Sequence, residues 1–273
     1  MTCLYVDRKN VHIKTDSKML SIYDDQKKIT SVPLQLLSRI CLKGNITLTA
    51  SVLGKLGECD IGILILRGLQ HKPTLLLPTM KHDANKRLIQ AQLANNIEFC
   101  LSFAKTLVQQ KIERQCQTLQ SSFERVHFPH SRQLELDKYY QNTMMEIENA
   151  QQYEWIRQIH LMGLDPYIGF YHQIKFGRES LACDLVEPLR ALYDLWLINA
   201  FKEKIFRMED FTITESGCTI GKAGRLRFYN AFENWLSEHQ NYFNDTKKML
   251  FIALNQKAPL AFDVSHTEIQ RVV

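Results

Sequence analysis

The apolar positions of the chain change their rhythm once. Up to about residue 80 they come in short bursts: Leu4-Tyr5-Val6, Val11-His12-Ile13, Leu20-Ser21-Ile22, Ile40-Cys41-Leu42, Ile61–Leu66 and Thr74–Leu77. Turn formers such as Asp24-Asp25, Lys43-Gly44-Asn45 and Arg67-Gly68 separate them. This pattern predicts short strands joined by tight turns, with Ser51–Gly57 as one short helix among them. From Asp83 onward the spacing becomes three to four residues. Leu88, Ala91, Ile97, Leu101, Ala104, Val108 and Ile112 fall on one stripe, which predicts a long helix. Segments 134–162, 180–204, 225–237 and 246–257 read as further helices, and strand signals almost vanish. Ser121–Arg132, with Pro129 and two histidines, is the least regular stretch.

That order predicts an α+β chain. A small N-terminal β-rich domain, residues 1–80, precedes a larger all-helical C-terminal domain, residues 83–273, with the boundary near Pro78–Asp83. A length of 273 residues is ample for buried cores without disulfide staples. The net charge of +5 becomes more informative when divided, because residues 1–82 carry +6 and the remainder carries −1. Such asymmetry agrees with a polyanionic partner, although many metabolic enzymes are as basic. Seven cysteines, with no CxxC pair, argue against a disulfide framework or zinc knuckle and fit small buried hydrophobes in a reducing compartment. No basic segment leads into an apolar stretch at the start, and no run approaches the ~20 apolar residues of a membrane span, so a cytoplasmic, unanchored protein is expected. GxGxxG, P-loop and GxSxG motifs are absent, which argues against dinucleotide enzymes, P-loop NTPases and esterases of that type.

Candidate chemistry gathers in Gly163–His172 (GLDPYIGFYH) and in the helical pattern that follows. Gly163, Pro166 and Gly169 punctuate a compact turn that presents His172 at the end of a short apolar run. Ser180 is the expected N-cap of the next helix. Asp184 and Glu187, three residues apart, share one helix face. Pro188 has no N–H to donate to the carbonyl of Asp184, so the helix should loosen or kink there. A His and a carboxylate pair at a bent helix suit a divalent cation with positions open to substrate oxygens. The alternative is a hydrogen-bonded structural His beside a solvated acidic face.

The wording GLDPYIGFYH, followed by GRESLACDLVEPLR over Gly177–Arg190, closely resembles the signature of the CRISPR-associated spacer integrases, the first-numbered Cas protein family. The resemblance extends to Gly44–Thr49, Arg87–Gln90 and Lys111–Gln115, and so to most of the chain. It implies the same β-then-α organisation and a metal-dependent DNA endonuclease/integrase of CRISPR adaptation. In that reaction the 3′-OH of a short DNA fragment attacks a phosphodiester of the repeat array. It further implies Mg²⁺ or Mn²⁺ held by a Glu, a His and a second carboxylate. His172 matches the family His and Glu187 the second carboxylate, with Asp184 as an assisting neighbour. Implied partners are double-stranded DNA (prespacer and repeat array), the second-numbered Cas protein, and a second copy of the chain docked through the β-rich domain.

The first Glu is where the sequence departs from the family pattern. Only one helical stretch, roughly Leu134–Met162, lies between the irregular segment and Gly163, and it aligns in two ways. In one, Glu146 or Glu148 is the family Glu. In the other, Asn142 begins the later family helix, the Glu-bearing segment is missing, and the site is incomplete or draws on another carboxylate such as Glu135. The chain then has a shortened middle, and a non-catalytic DNA-binding or scaffolding relative becomes the alternative function. Lys175 and Arg178, in the loop after His172, and Lys222, Arg225 and Arg227, at a turn-to-helix entry, are the expected phosphate contacts. Solvated surface charge is the alternative for these five.

Overall fold

The structure is a computed structural model that describes residues 2–66, 74–78, 84–121, 133–214 and 217–257. The early bursts form two sheets. Strands β2 (Val11–Asp16), β3 (Met19–Asp24), β4 (Lys27–Pro33) and β6 (Ile46–Leu48) lie in the order β4-β3-β2-β6, antiparallel except for the parallel β2–β6 pair. Strands β1 (Thr2–Asp7), β5 (Leu37–Lys43), β7 (Gly62–Leu66) and β8 (Thr74–Leu76) form the second sheet in the order β1-β5-β7-β8, with β1, β5 and β7 parallel. Helix α1 (Ala50–Glu58) links β6 to β7 and is capped by Thr49, whose Oγ1 accepts a hydrogen bond from Val52 N. Ile13, Leu20, Ile40, Leu56 and Ile63 are at most 3% exposed and belong to the core of this half.

The second half contains α2 (Ala84–Ala94), α3 (Ile97–Ser121), α4 (Gln133–Leu161), α5 (Ser180–Val186), α6 (Arg190–Lys202), α7 (Lys222–Glu238) and α8 (Gln240–Lys257). To these the structure adds an antiparallel ribbon, β9 (Phe211–Thr214) with β10 (Gly217–Ile220). Its strands of four residues are too short to leave a period in the sequence. The long helix expected from Asp83 is two helices, because Asn96 caps α3 by accepting from Phe99 N at 3.0 Å. That break resets the phase. Leu88, Ile97, Leu101 and Ile112 are exposed, and Leu93, Phe99, Phe103 and Leu107 are buried in their place. Phe99 and Phe103 meet Phe170 edge-on at 5.0 and 5.1 Å, which fixes the buried face against the Gly163–His172 turn.

The helix expected over 180–204 is interrupted as Pro188 requires, by a 3₁₀ turn at Glu187–Leu189 between α5 and α6. Ser180 is not its cap. Glu179 occupies that position, and Ser180 Oγ donates to the Gln173 carbonyl at 3.1 Å. The cysteines depart from the buried expectation as well: all seven are free, but Cys59 and Cys116 are exposed. Residues 79–83 of the expected Pro78–Asp83 boundary, and 122–132 of the irregular Ser121–Arg132 stretch, lie outside the described residues. Among the described residues no helix is long and apolar enough to cross a membrane.

The halves are joined by polar contacts as well as apolar ones. Arg39 of β5 bonds Glu154 of α4 at 2.9 Å and also bonds Glu233 of α7. Arg157 grips the same Glu154 at 2.7 and 3.1 Å. Burial opposes ionisation of Glu154, but the adjacent Arg39 and Arg157 outweigh it and bring its pKa down to about 2. Tyr5 of β1 stacks on Tyr229 of α7 with ring centres 4.1 Å apart.

Candidate metal centre

The turn that carries His172 is tied down from both sides. Gln90 of α2, fully buried, donates to the carbonyls of Asp165 and Ile168 at 2.8 and 2.7 Å and accepts from Asp165 N at 2.9 Å. From the other side Asp184 of α5, 0% exposed, gathers three backbone donors, Phe170 N, Tyr171 N and His172 N, at 2.7, 3.1 and 2.8 Å. The same carboxylate lies 2.7 Å from His172 Nδ1. Gly169 makes this approach possible, since a Cβ there would stand 2.8 Å from Ser180 and 2.9 Å from the Asp184 carboxylate.

Accepting the Nδ1 proton leaves His172 Nε2 as the basic nitrogen. That nitrogen lies 3.7 Å from Glu187 Oε1. Glu187 sits in the 3₁₀ turn and is itself 7% exposed. Lys111 of α3 bonds its Oε2 at 2.7 Å, and Arg190 of α6 approaches its Oε1 at 3.4 Å. Arg190 also reaches Glu148 of α4 at 3.5 Å. One guanidinium thus connects the two carboxylates. Among the described residues no three His, Cys, Asp or Glu side chains are drawn together as a metal-holding group. Lys111 and Arg190 hold the charge of Glu187 instead, and Arg190 faces Glu148 as well.

Glu146 and Glu148 are two residues apart on one helix and therefore about 200° apart around it. Glu148 faces Arg190, whereas Glu146 accepts from Tyr229 Oη at 3.4 Å and acts on Lys43 of the β-rich half. The side chain of Glu135 lies outside the described residues. Of the expected phosphate contacts, Lys175 and Lys222 are exposed, and Arg178 is half-buried beside Cys183. Arg225 and Arg227 have partners within the fold. Arg225 bonds Asp7 of β1 at 2.7 and 3.2 Å as well as the Ile220 carbonyl, and Arg227 bonds Asp210. The Arg225 fork is shared between a carboxylate and a backbone carbonyl, whereas Arg227 donates one N–H group to Asp210.

Sequence reasoning passed over Gln90, Lys111, Arg114 and Arg190 as site residues. Arg114 donates to the Pro188 carbonyl at 2.9 Å, and Thr118 donates to the Ala191 carbonyl at 3.3 Å. Lys111, Arg114 and Thr118 are spaced three and four apart, so one face of α3 serves the broken helix. That polar i, i+3, i+7 pattern was the available signal.

The family model of the CRISPR associated protein Cas1 matches residues 4–160 and 140–234. A curated relative, the CRISPR-associated endonuclease Cas1 1 of Thermodesulfovibrio yellowstonii, is 29% identical over 296 aligned positions, covering 88% of this chain and 93% of the relative. Among solved structures, a casposase bound to integration product superposes with a TM-score of 0.76 at 18% identity, covering 100% of this chain and 96% of that one. A CAS1 protein from Thermotoga maritima gives 0.76 at 16% identity, covering 93% and 96%. A chain of a partial Cas6-RT-Cas1–Cas2 complex gives 0.56 at 17%, covering 94% and 97%. A β-rich half followed by a helical half, matched by the family model over most of its length, defines the class of Cas1 proteins, of which the Thermodesulfovibrio relative is named an endonuclease. The chain belongs to the CRISPR-associated Cas1 family.

The two matched stretches overlap at 140–160, so helix α4 is matched twice. Against the Thermodesulfovibrio relative, about 240 residues of this chain are spread over 296 positions, so that relative carries segments this chain lacks.

Proposed function

We propose that the chain is a divalent-metal-dependent DNA endonuclease/integrase of CRISPR adaptation. It joins the 3′-OH of a short double-stranded DNA fragment to the repeat array by transesterification, with the second-numbered Cas protein and a second copy of itself as partners. The observation that carries this reading is His172, fixed by Asp184 so that Nε2 lies against Glu187, with Glu148 joined to the same group through Arg190. One imidazole nitrogen and two carboxylates are a donor set that suits Mn²⁺ or Mg²⁺. His172, Glu187 and Glu148 would hold the ion, and Glu146, turned toward Tyr229, would not.

When bound, such an ion polarises the phosphoryl oxygen and lowers the pKa of the attacking hydroxyl. The remaining work falls to the chain. Asp184 holds the His172 ring in one tautomer and one orientation. Lys111 and Arg190 neutralise the carboxylates while the site is empty of substrate, and they offer N–H donors to phosphate oxygens once it arrives. Lys175 and Arg178, together with Lys222, supply salt-sensitive phosphate contacts that position DNA without reading its sequence.

The test is strand transfer and branched-DNA cleavage with Mn²⁺. His172→Ala and Glu187→Ala should abolish both while DNA still binds; a wild-type chain that binds DNA and performs neither reaction overturns the enzymatic reading. The doubled match of α4 favours one second reading, a DNA-binding scaffold that has lost part of the catalytic half. That inactive wild type is the result it requires.

A further inference from the structure

The loop between the ring of His172 and the start of α5 is built against the usual rule for surfaces. Its tip reads Gln173-Ile-Lys-Phe-Gly-Arg178. Phe176 is as exposed as a side chain can be, at 108% of the reference value, and Ile174 is 61% exposed. Tyr171, beside His172, and Tyr167, earlier in the same turn, are 44% and 47% exposed. Folding gains nothing from such placement, because the apolar surface that burial would stabilise stays in water.

The loop is nonetheless held firmly. Its first residue is bonded through both N and Nδ1 to buried Asp184, Arg178 N closes a turn onto the Lys175 carbonyl at 3.1 Å, and Ser180 Oγ holds the Gln173 carbonyl. Gly177 adopts a left-handed φ of +69°, and a Cβ there would meet nothing within 4 Å, so the tip stands clear of the protein. A rigid stalk therefore carries an unpartnered phenyl ring a few residues from the candidate metal ligands.

We infer that Phe176, flanked by Ile174, is a stacking wedge for an unpaired nucleobase next to the phosphodiester handled at His172. This rests on the DNA strand-transfer reading. The occupant follows from the interleaved charge. Lys175 lies between the two apolar side chains and Arg178 two residues beyond, so a partner must present flat apolar faces and anionic groups in alternation. Nucleic acid with exposed bases has that pattern. Phe176 makes no base-specific hydrogen bond, so the wedge tolerates any base. It acts by drawing one nucleotide out of the stack, which leaves the adjoining phosphate accessible.

The experiment uses a three-way branched DNA with 2-aminopurine at the unpaired nucleotide beside the branch, and a blunt duplex of equal length, without metal. Wild type should change the 2-aminopurine fluorescence on binding. Phe176→Ala should bind the branched DNA roughly tenfold more weakly, as loss of one stacked base implies, and bind the duplex as wild type does. In Phe176→Trp the new indole should be quenched by branched DNA and not by duplex. Unchanged circular dichroism and melting temperature in both variants exclude misfolding. DNA binding with unaltered 2-aminopurine signal and an unquenched Trp overturns the wedge and spares the functional reading. Failure of wild type to bind either DNA overturns the functional reading and the wedge with it. A change in self-association of Phe176→Ala, with DNA affinity unaltered, assigns the ring to a protein contact and also overturns the wedge.

Discussion

Asp184 Oδ1 lies 2.7 Å from His172 Nδ1 and, at 2.8 Å, also receives the backbone N–H of the same residue. One buried oxygen therefore fixes both where the histidine stands and which nitrogen it turns toward Glu187. Asp184→Asn keeps the shape but turns an amide group toward several N–H donors. Expected are a loss of at least about 2 kcal/mol of stability and ¹⁵N shifts of His172 showing a mixture of tautomers. A single unchanged tautomer would show that the turn alone orients the ring.

Gly169→Ala tests the same clamp sterically. The added methyl would press on the Ser180 backbone and the Asp184 carboxylate, both 2.8–2.9 Å away. The expected cost is about 1–3 kcal/mol by chemical denaturation, accompanied by loss of DNA cleavage. Wild-type stability and activity would mean that the turn relaxes without disturbing His172.

Glu148→Gln and Glu146→Gln should separate cleanly. The first is expected to lower strand transfer with Mn²⁺ by at least about a hundredfold with DNA affinity retained, the scale of a lost metal ligand or its orienting partner. The second removes a charge that faces Tyr229 and Lys43, and should leave the reaction within a few-fold of wild type. Equal losses in both would point to a general effect on α4.

Arg190 stands against both Glu148 and Glu187, where an incoming cation must compete with it. Arg190→Ala should therefore bind Mn²⁺ about tenfold more tightly, measured by electron paramagnetic resonance of free Mn²⁺ without DNA. Weaker Mn²⁺ binding in this variant would show that Arg190 organises the carboxylates rather than opposing the ion.

The ionised form of Glu154 is favoured in the folded state, with its pKa lowered from 4.5 to about 2 against the opposing effect of burial. A carboxylate shifted down contributes stability that is complete above its unfolded value and disappears as pH falls through its folded value. Denaturation midpoints should thus decline from pH 4.5 toward pH 2, and the decline from this group should be absent in Glu154→Gln. That variant should also be less stable at pH 7, because it leaves Arg39 and Arg157 without a shared partner.

The β-then-α order, the kink at Pro188, and the pairing of His172 with Asp184 and Glu187 were legible because each rests on local rules: turn residues, a missing N–H, and helical spacing. The phase of α3 was not. The cap at Asn96 shifts it, and a pattern summed across that break selects Leu88, Ile97 and Leu101, which are exposed. The commitments of Arg225 and Arg227 were hidden for another reason. Their carboxylate partners, Asp7 and Asp210, lie 218 and 17 residues away in sequence, and only tertiary structure brings them together. Choosing between Glu146 and Glu148 likewise required knowing which side of α4 the β-rich half covers.

That helix has mechanical as well as chemical meaning. Glu146 and Glu154 anchor α4 to neighbours on the β-rich side of the molecule, through Tyr229 and Arg39, while Glu148 projects toward Arg190. His172 and Glu187 ride on a different support, the turn and broken helix fastened by Asp184, Lys111 and Arg114. A cation held by all three would span both supports, which Gln152 of α4 already links by donating to Glu179 at the start of α5 at 3.1 Å. A load on the β-rich half that shifts α4 would therefore carry through to the turn and broken helix as well as to Glu148.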